Sequence, residues 1–134
     1  MKTVLFACVH NAGRSQMAAA LFNQLADPAK ARAISAGTEP IARVHPVVVD
    51  AMRELGVDLS AVQPQKLTDA LARQAQLHVT MGCGDACPYV PGAQVEDWPV
   101  EDPYGRPLEA VRRIRGEIAR RVSALVTREG VARA

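Results

Sequence analysis

Thr3-Val4-Leu5-Phe6-Ala7-Cys8-Val9-His10-Asn11-Ala12-Gly13-Arg14-Ser15 is the stretch on which the fold turns. Thr3 to Val9 is an apolar run without the polar alternation of a half-exposed strand. It reads as a strand buried on both faces, as in a parallel sheet. His10-Asn11-Ala12-Gly13 is a short turn. From Ser15 onward Met17, Leu21, Phe22 and Leu25 recur at helical spacing until Asp27-Pro28 closes the pattern. Strand, tight loop and helix make the first half of a βαβ unit.

Working outward, Ala33 to Ala36 is a short second strand ended by Gly37. Pro46 suits a first helical turn, and Val47, Val48, Ala51, Met52 and Leu55 make a stripe stopped by Gly56. Asp58 to Pro64 is loop. Leu67 to Ala75 is a helix starting near Thr68 and Asp69, and Gln76 to Met81 is a third strand. The glycines and prolines of 82–92 mark a loop, Ala93 to Asp97 a fourth strand, and Trp98 to Pro107 another loop. Leu108, Val111, Ile114, Ile118, Val122, Leu125 and Val126 line one face of a long amphipathic helix. The expected fold is α/β: one domain over residues 1–134, a three-layer sandwich around a four-stranded parallel sheet. Ligands of such sheets bind beyond the carboxyl ends of the strands. All three cysteines fall there, Cys8 after the first strand and Cys83 and Cys87 after the third.

Composition narrows the function. Hydrophobic residues make up 49% and charged residues 22%, an ordinary globular balance. The net charge is +2, and two Phe, two Tyr and one Trp offer few stacking platforms, so no nucleic-acid partner is expected. Arg112, Arg113, Arg115, Arg120 and Arg121 alternate with apolar residues at helical spacing, which reads as a solvated helix face. The apolar run at the start is too short for a signal peptide, and no later stretch approaches the ~20 apolar residues of a membrane span. The reading is therefore a cytoplasmic monomer without membrane association. In that compartment structural disulfides are rare, so three cysteines suit a transient thiol relay.

Cys8 to Ser15 has the form C-x5-R-S between a strand and a helix. Such a loop turns successive backbone N–H groups inward, making a nest for a tetrahedral oxyanion along Val9, His10, Asn11, Ala12, Gly13, Arg14 and Ser15. The helix start adds its positive dipole end. Arg14 can grip two anion oxygens with its planar fork. Gly13 is expected to adopt a backbone angle that a Cβ forbids. Cys8 lies on the floor of the nest, where the electropositive surroundings favour the nucleophilic thiolate, with Ser15 donating its hydroxyl to the sulfur. His10 either lines the anion site or is exposed; His45 and His78 read as surface or packing residues. Cys83 and Cys87 form a C-x3-C pair without a matching second pair, so neither a metal nor an organic cofactor is expected.

The Cys8–Ser15 loop resembles the phosphate-binding loop of the low-molecular-weight tyrosine phosphatases and their arsenate-reductase relatives. Ser35-Ala36-Gly37-Thr38 resembles the family's second strand and its exit. Val79-Thr80-Met81-Gly82-Cys83-Gly84-Asp85-Ala86-Cys87-Pro88 resembles the redox segment of the arsenate reductases, and Trp98 through Gly105 the family's Asp-Pro segment. The resemblance implies a four-stranded parallel sheet with helices on both faces. It also implies reduction of arsenate to arsenite, for arsenic detoxification, with Cys8 as nucleophile, Cys83 and Cys87 as resolving thiols and a thioredoxin-type electron donor. A mycothiol- or glutathione-coupled route is the other possibility for the donor. Asp102, rather than Asp97 or Glu101, takes the place of the family's general acid. Phosphate and sulfate should compete with arsenate. The sequence departs from the family pattern at Gly13, where many members have a second cysteine, and in the three residues between Cys83 and Cys87. Tyr104, an aromatic after Asp102-Pro103 as in the phosphatases, keeps a low-molecular-weight protein tyrosine phosphatase as the alternative.

Overall fold

In the computed structural model the chain forms β1 (Lys2–Cys8), α1 (Arg14–Leu25), β2 (Ala31–Gly37), α2 (Pro46–Arg53), α3 (Asp69–Arg73), β3 (Leu77–Thr80), β4 (Gln94–Asp97) and α4 (Leu108–Glu129). The structure describes residues 1–83, 87 and 90–133. The middle of the loop expected over 82–92, and with it Gly84, Asp85, Ala86 and Pro88 of the redox segment, lies outside the described residues.

The sheet order is β2-β1-β3-β4, and every pairing is parallel. Cys8 stands beside Gly37 and Ala7 beside Thr80. The carboxyl ends of β2, β1 and β3 are therefore nearly level, and the loops that leave them meet at one edge.

Burial of β1 on both sides explains its unbroken apolar run. Alternate residues face opposite ways along a strand. Val4, Phe6 and Cys8 enter the larger core, with Met17, Phe22, Met52, Trp98 and Ile118. Leu5 and Ala7 enter a smaller one, with Ala36, Leu67, Ala72 and Cys83. Phe6 is fully buried, with ring centroids 6.1 Å from Phe22 and 5.5 Å from Trp98. Its burial contributes roughly 1.5–3 kcal/mol.

Three expectations shift at the element ends. Leu25 and Leu55, placed on helical stripes by sequence, are 39% and 40% exposed. Leu25 is the last residue of α1, and Leu55 lies in the turn that follows α2. Val9 falls outside β1, because the backbone leaves the sheet to begin the loop. β4 pairs only with β3, and its residues other than Glu96 are exposed, as befits an edge strand.

The arginine run on α4 is more than a solvated face. Arg112 donates to Glu54 at 2.6 Å, and Arg115 reaches both Glu54 at 2.8 Å and the Ala51 carbonyl at 2.6 Å. These bonds tie the end of α2 to α4. They hold the Glu54 carboxyl down at about 2. A lowered carboxylate stabilises the fold above its unfolded value and loses that contribution as pH falls. Glu54→Gln is thus expected to remove part of the acid-induced loss of stability between about 4.5 and about 2. Urea midpoints measured down that range should fall less steeply for the variant than for the parent.

Candidate active site

The loop between β1 and α1 is held open by what its carbonyls do. Thr38 N–H donates to the Cys8 carbonyl at 3.1 Å, Glu39 N–H to Val9 at 2.7 Å, Ile41 N–H to His10 at 3.3 Å and His45 N–H to Ala12 at 3.0 Å. Gln16 Nε2 donates to the Asn11 carbonyl at 3.1 Å. In a planar trans peptide the next N–H points opposite to the carbonyl. With these carbonyls turned outward, the N–H groups of residues 9 to 13 face the loop interior. Asn11 N–H is the visible case, 3.3 Å from Cys8 Sγ. α1 starts without a side-chain cap and without an acidic residue in its first turn, so its positive end adds to the same concavity. Such a ring of donors suits a tetrahedral oxyanion.

Asn11 is fully buried and carries φ of 53°, the left-handed region that Asn tolerates better than most residues. Its Oδ1 accepts from Gln16 Nε2 at 3.0 Å and from Gln65 N–H at 3.0 Å, which fixes the amide's orientation. Nδ2 then donates to Ser15 Oγ at 2.8 Å. Ser15 Oγ, with a donor already on it, lies 2.8 Å from Cys8 Sγ. Its own proton is thereby directed at the sulfur, as suits a thiolate.

Gly13 has φ of −145° and ψ of −91°. What excludes a side chain is space: a Cβ there would lie 2.8 Å from Pro103 Cγ. Gly37 is crowded in the same way, a Cβ falling 2.5 Å from the Val9 carbonyl oxygen. Gly82 has φ of +101°, and a Cβ on it would meet the Arg14 guanidinium at 2.7 Å. Arg14 passes over Gly82, donates to the Val100 carbonyl at 3.2 Å and stands 3.7 Å from Asp102 Oδ2.

The three carboxylates that only the resemblance separated now differ. Asp97 accepts from Thr80 Oγ1 at 2.8 Å, and Glu101 pairs with Arg106 at 2.8 Å. Asp102 alone of the three is paired with Arg14 of the loop, and its other oxygen accepts Tyr104 N–H at 3.0 Å. His78 is a packing residue, buried, with Nε2 2.8 Å from the Ala72 carbonyl. His10 is exposed. His45 is buried at the site, its ring 5.0 Å from that of Tyr104. Burial lowers its pKa below the ordinary histidine value; Asp102 partly offsets this and His10 adds to it.

Cys8 is a free thiol, whereas Cys83 is bonded to Cys87, with Cα atoms 5.6 Å apart. Cys83 Sγ lies 3.8 Å from the Ala7 carbonyl, so the pair adjoins the residue before Cys8. It packs in the smaller core, on the opposite side of β1 from Cys8. A cleft of about 480 Å³ leads to it, lined by Val9, Thr38, Glu39, Lys66, Leu67 and Cys83. Among the described residues no group of three His, Cys, Asp or Glu side chains is arranged to hold a metal ion.

Sequence reasoning missed the residues that shape the loop from outside: Gln16, Gln65, the 38–45 segment and His45. Gln65 also donates from Nε2 to the Ser35 carbonyl at 2.8 Å, tying the exit of β2 to the loop. The one local signal was that Gln16 lies five residues from Asn11 at the opening of α1.

Comparison with known proteins agrees with this architecture. The family model for low molecular weight phosphotyrosine protein phosphatase matches residues 3–133. The chain is 35% identical over 131 residues to a glutaredoxin arsenate reductase from Synechocystis, covering 96% of this chain and 98% of that one. It is similar to a Corynebacterium glutamicum thioredoxin-dependent arsenate reductase at 38% identity and a TM-score of 0.78, covering 96% of this chain and 63% of that one. An Archaeoglobus fulgidus arsenate reductase aligns with a TM-score of 0.80 at 35% identity, over 92% of this chain and 98% of the other. With the sheet order, the loop and these similarities in agreement, the chain belongs to the low molecular weight phosphotyrosine protein phosphatase family.

Proposed function

We propose that this protein reduces arsenate to arsenite through a relay of its three cysteines. The observation that carries the reading is the pairing of the thiols: Cys83 is joined to Cys87 and Cys8 stands free. That is the state such a relay leaves behind. Arsenate enters the loop, held by the N–H groups of residues 9 to 13 and by Arg14. The Cys8 thiolate attacks arsenic, and an arsenic hydroxyl leaves as water after Asp102 protonates it. Cys83 thiolate attacks Cys8 Sγ. An S–S bond forms and the S–As bond breaks, its electron pair remaining on arsenic, which becomes arsenite. Cys87 thiolate then attacks Cys83 Sγ and releases Cys8 as thiolate. The protons of the resolving thiols pass to solvent. Cys83 must cross from the smaller core to reach Cys8, so the relay requires the segment after β3 to move.

The electrons that reopen the disulfide come, in this reading, from a thioredoxin-type dithiol in the cytoplasm, where disulfides are kept reduced. The relative named as thioredoxin-dependent supports that choice. Among the described residues no helix is long and apolar enough to cross a membrane. Arsenate-dependent oxidation of NADPH, coupled through thioredoxin and thioredoxin reductase, is the test. The parent should turn over, and Cys83→Ser and Cys87→Ser should each stop at one turnover or fewer. If both variants keep turning over with a small-thiol donor, an external thiol resolves the Cys8 adduct and the relay is wrong.

One observation favours a second activity. Tyr104 is 68% exposed beside Asp102-Pro103, an aromatic face next to an anion site. Hydrolysis of an aryl phosphate that needs Cys8 but neither Cys83 nor Cys87, without arsenate turnover, would make the protein a phosphatase instead.

A further inference from the structure

His45 occupies a seam that the reaction depends on. Its backbone N–H is bonded to the Ala12 carbonyl of the anion loop at 3.0 Å, and its own carbonyl accepts from Val48 and Val49 at the start of α2. The main chain therefore fixes the ring at two places, the loop on one side and a helix on the other. The ring edge is 3.6 Å from where a Cβ on Gly13 would lie, and its centroid is 5.0 Å from that of Tyr104, the two planes tilted by 45°. Pro103 packs onto Gly13 so closely that no Cβ fits between them. The segment carrying Asp102 thus rests on the loop at Gly13, on Arg14 through the ion pair, and on His45 through Tyr104. Arg14 must also serve the anion, and the Gly13 contact is a single edge. His45 is the one of the three supports with no other demand on it.

We propose that His45 is a positioning residue: by packing against Tyr104 it clamps the Asp102-Pro103-Tyr104 segment over the anion loop and sets where the acid stands relative to Cys8. The proposal rests on Asp102 being the proton donor of the reductase reading. Displacing a reacting group by about 1 Å can cost on the order of a hundredfold in rate. Partial release of a segment with two remaining supports should cost less.

The experiment compares the parent with His45→Ala, His45→Phe, Tyr104→Ala and the His45→Ala/Tyr104→Ala pair, with Asp102→Asn as reference. His45→Ala is expected to lower kcat for arsenate by about tenfold with KM for arsenate changed less than about twofold, because the anion contacts are untouched. His45→Phe keeps an aromatic ring against Tyr104 and should restore most of the rate. The double variant should be no slower than either single one, as two residues acting through one contact behave. Amide hydrogen exchange supplies a readout that needs no substrate. Tyr104 N–H, bonded to Asp102 Oδ1 at 3.0 Å, and Arg106 N–H, bonded to the Pro103 carbonyl at 3.1 Å, should exchange faster in His45→Ala but not in His45→Phe. Unchanged exchange overturns the clamp. So does an unchanged kcat in His45→Ala when Asp102→Asn is slow. Faster exchange together with an unaffected Asp102→Asn enzyme supports the clamp and overturns Asp102 as the acid.

Discussion

Replacing Cys8 by serine is expected to abolish arsenate reduction, by about four orders of magnitude or more, while leaving anion binding in place. The expectation follows from two separable jobs done by the same loop. Anion capture uses backbone N–H groups and Arg14, and both are positioned by bonds that do not involve the Cys8 side chain: carbonyls 8 to 12 held from outside, and the guanidinium held by Val100 and Asp102. A serine hydroxyl fits the same pocket and can still bond Ser15 and Asn11 N–H. The chemistry, by contrast, needs a sulfur that can bond to arsenic and then pass into a disulfide, which no oxygen can do. Coupled NADPH oxidation should fall to background, while calorimetric titration with phosphate should give an affinity within severalfold of the parent's. Arsenate turnover surviving in Cys8→Ser would place the nucleophile elsewhere and undo the proposed function. Loss of phosphate binding would mean that the thiol shapes the loop.

The second large effect is expected at Asn11. Asn11→Ala strips the buried acceptor from Gln16 Nε2 and Gln65 N–H and the donor from Ser15. It also leaves alanine in the left-handed region. Unpaired buried donors and the backbone cost together should destabilise the fold by on the order of 3 kcal/mol. Activity should drop further than stability explains, since nothing then directs the Ser15 proton to Cys8. Asn11→Asp separates the two effects. Its carboxylate keeps both acceptor bonds but turns an oxygen where Nδ2 met Ser15, so Ser15 becomes a donor to the carboxylate and is withdrawn from the sulfur. Urea unfolding should therefore place Asn11→Asp closer to the parent than Asn11→Ala. Its rate of Cys8 alkylation by iodoacetamide and its kcat should both fall by about tenfold or more. If Asn11→Asp reacts as fast as the parent, the amide serves the fold alone.

Much of this was legible along the chain because it is local. A short unbroken apolar run stopped by a turn fits a strand covered on both faces, and a 3.6-residue stripe commits its residues to one side of a helix. The sequence therefore determined the order of strands and helices, the parallel sheet, the position of the C-x5-R-S loop between β1 and α1, and the arrival of all three cysteines at one sheet edge. It did not determine what holds that loop in its working shape. Gln65 meets Asn11 across 54 residues, and Arg14 meets the Val100 carbonyl across 86. Such contacts leave no periodic trace. Three acidic residues close together in sequence, Asp97 at the end of β4 and Glu101 and Asp102 in the loop after it, look alike until Thr80, Arg106 and Arg14 claim one each. His45, an ordinary residue before a helix-starting proline, became part of the site only when the β2–α2 connection folded back to bond the loop carbonyls. Periodicity records which face of an element is buried; which side chains from distant elements then stand around the sulfur is decided by how those faces pack.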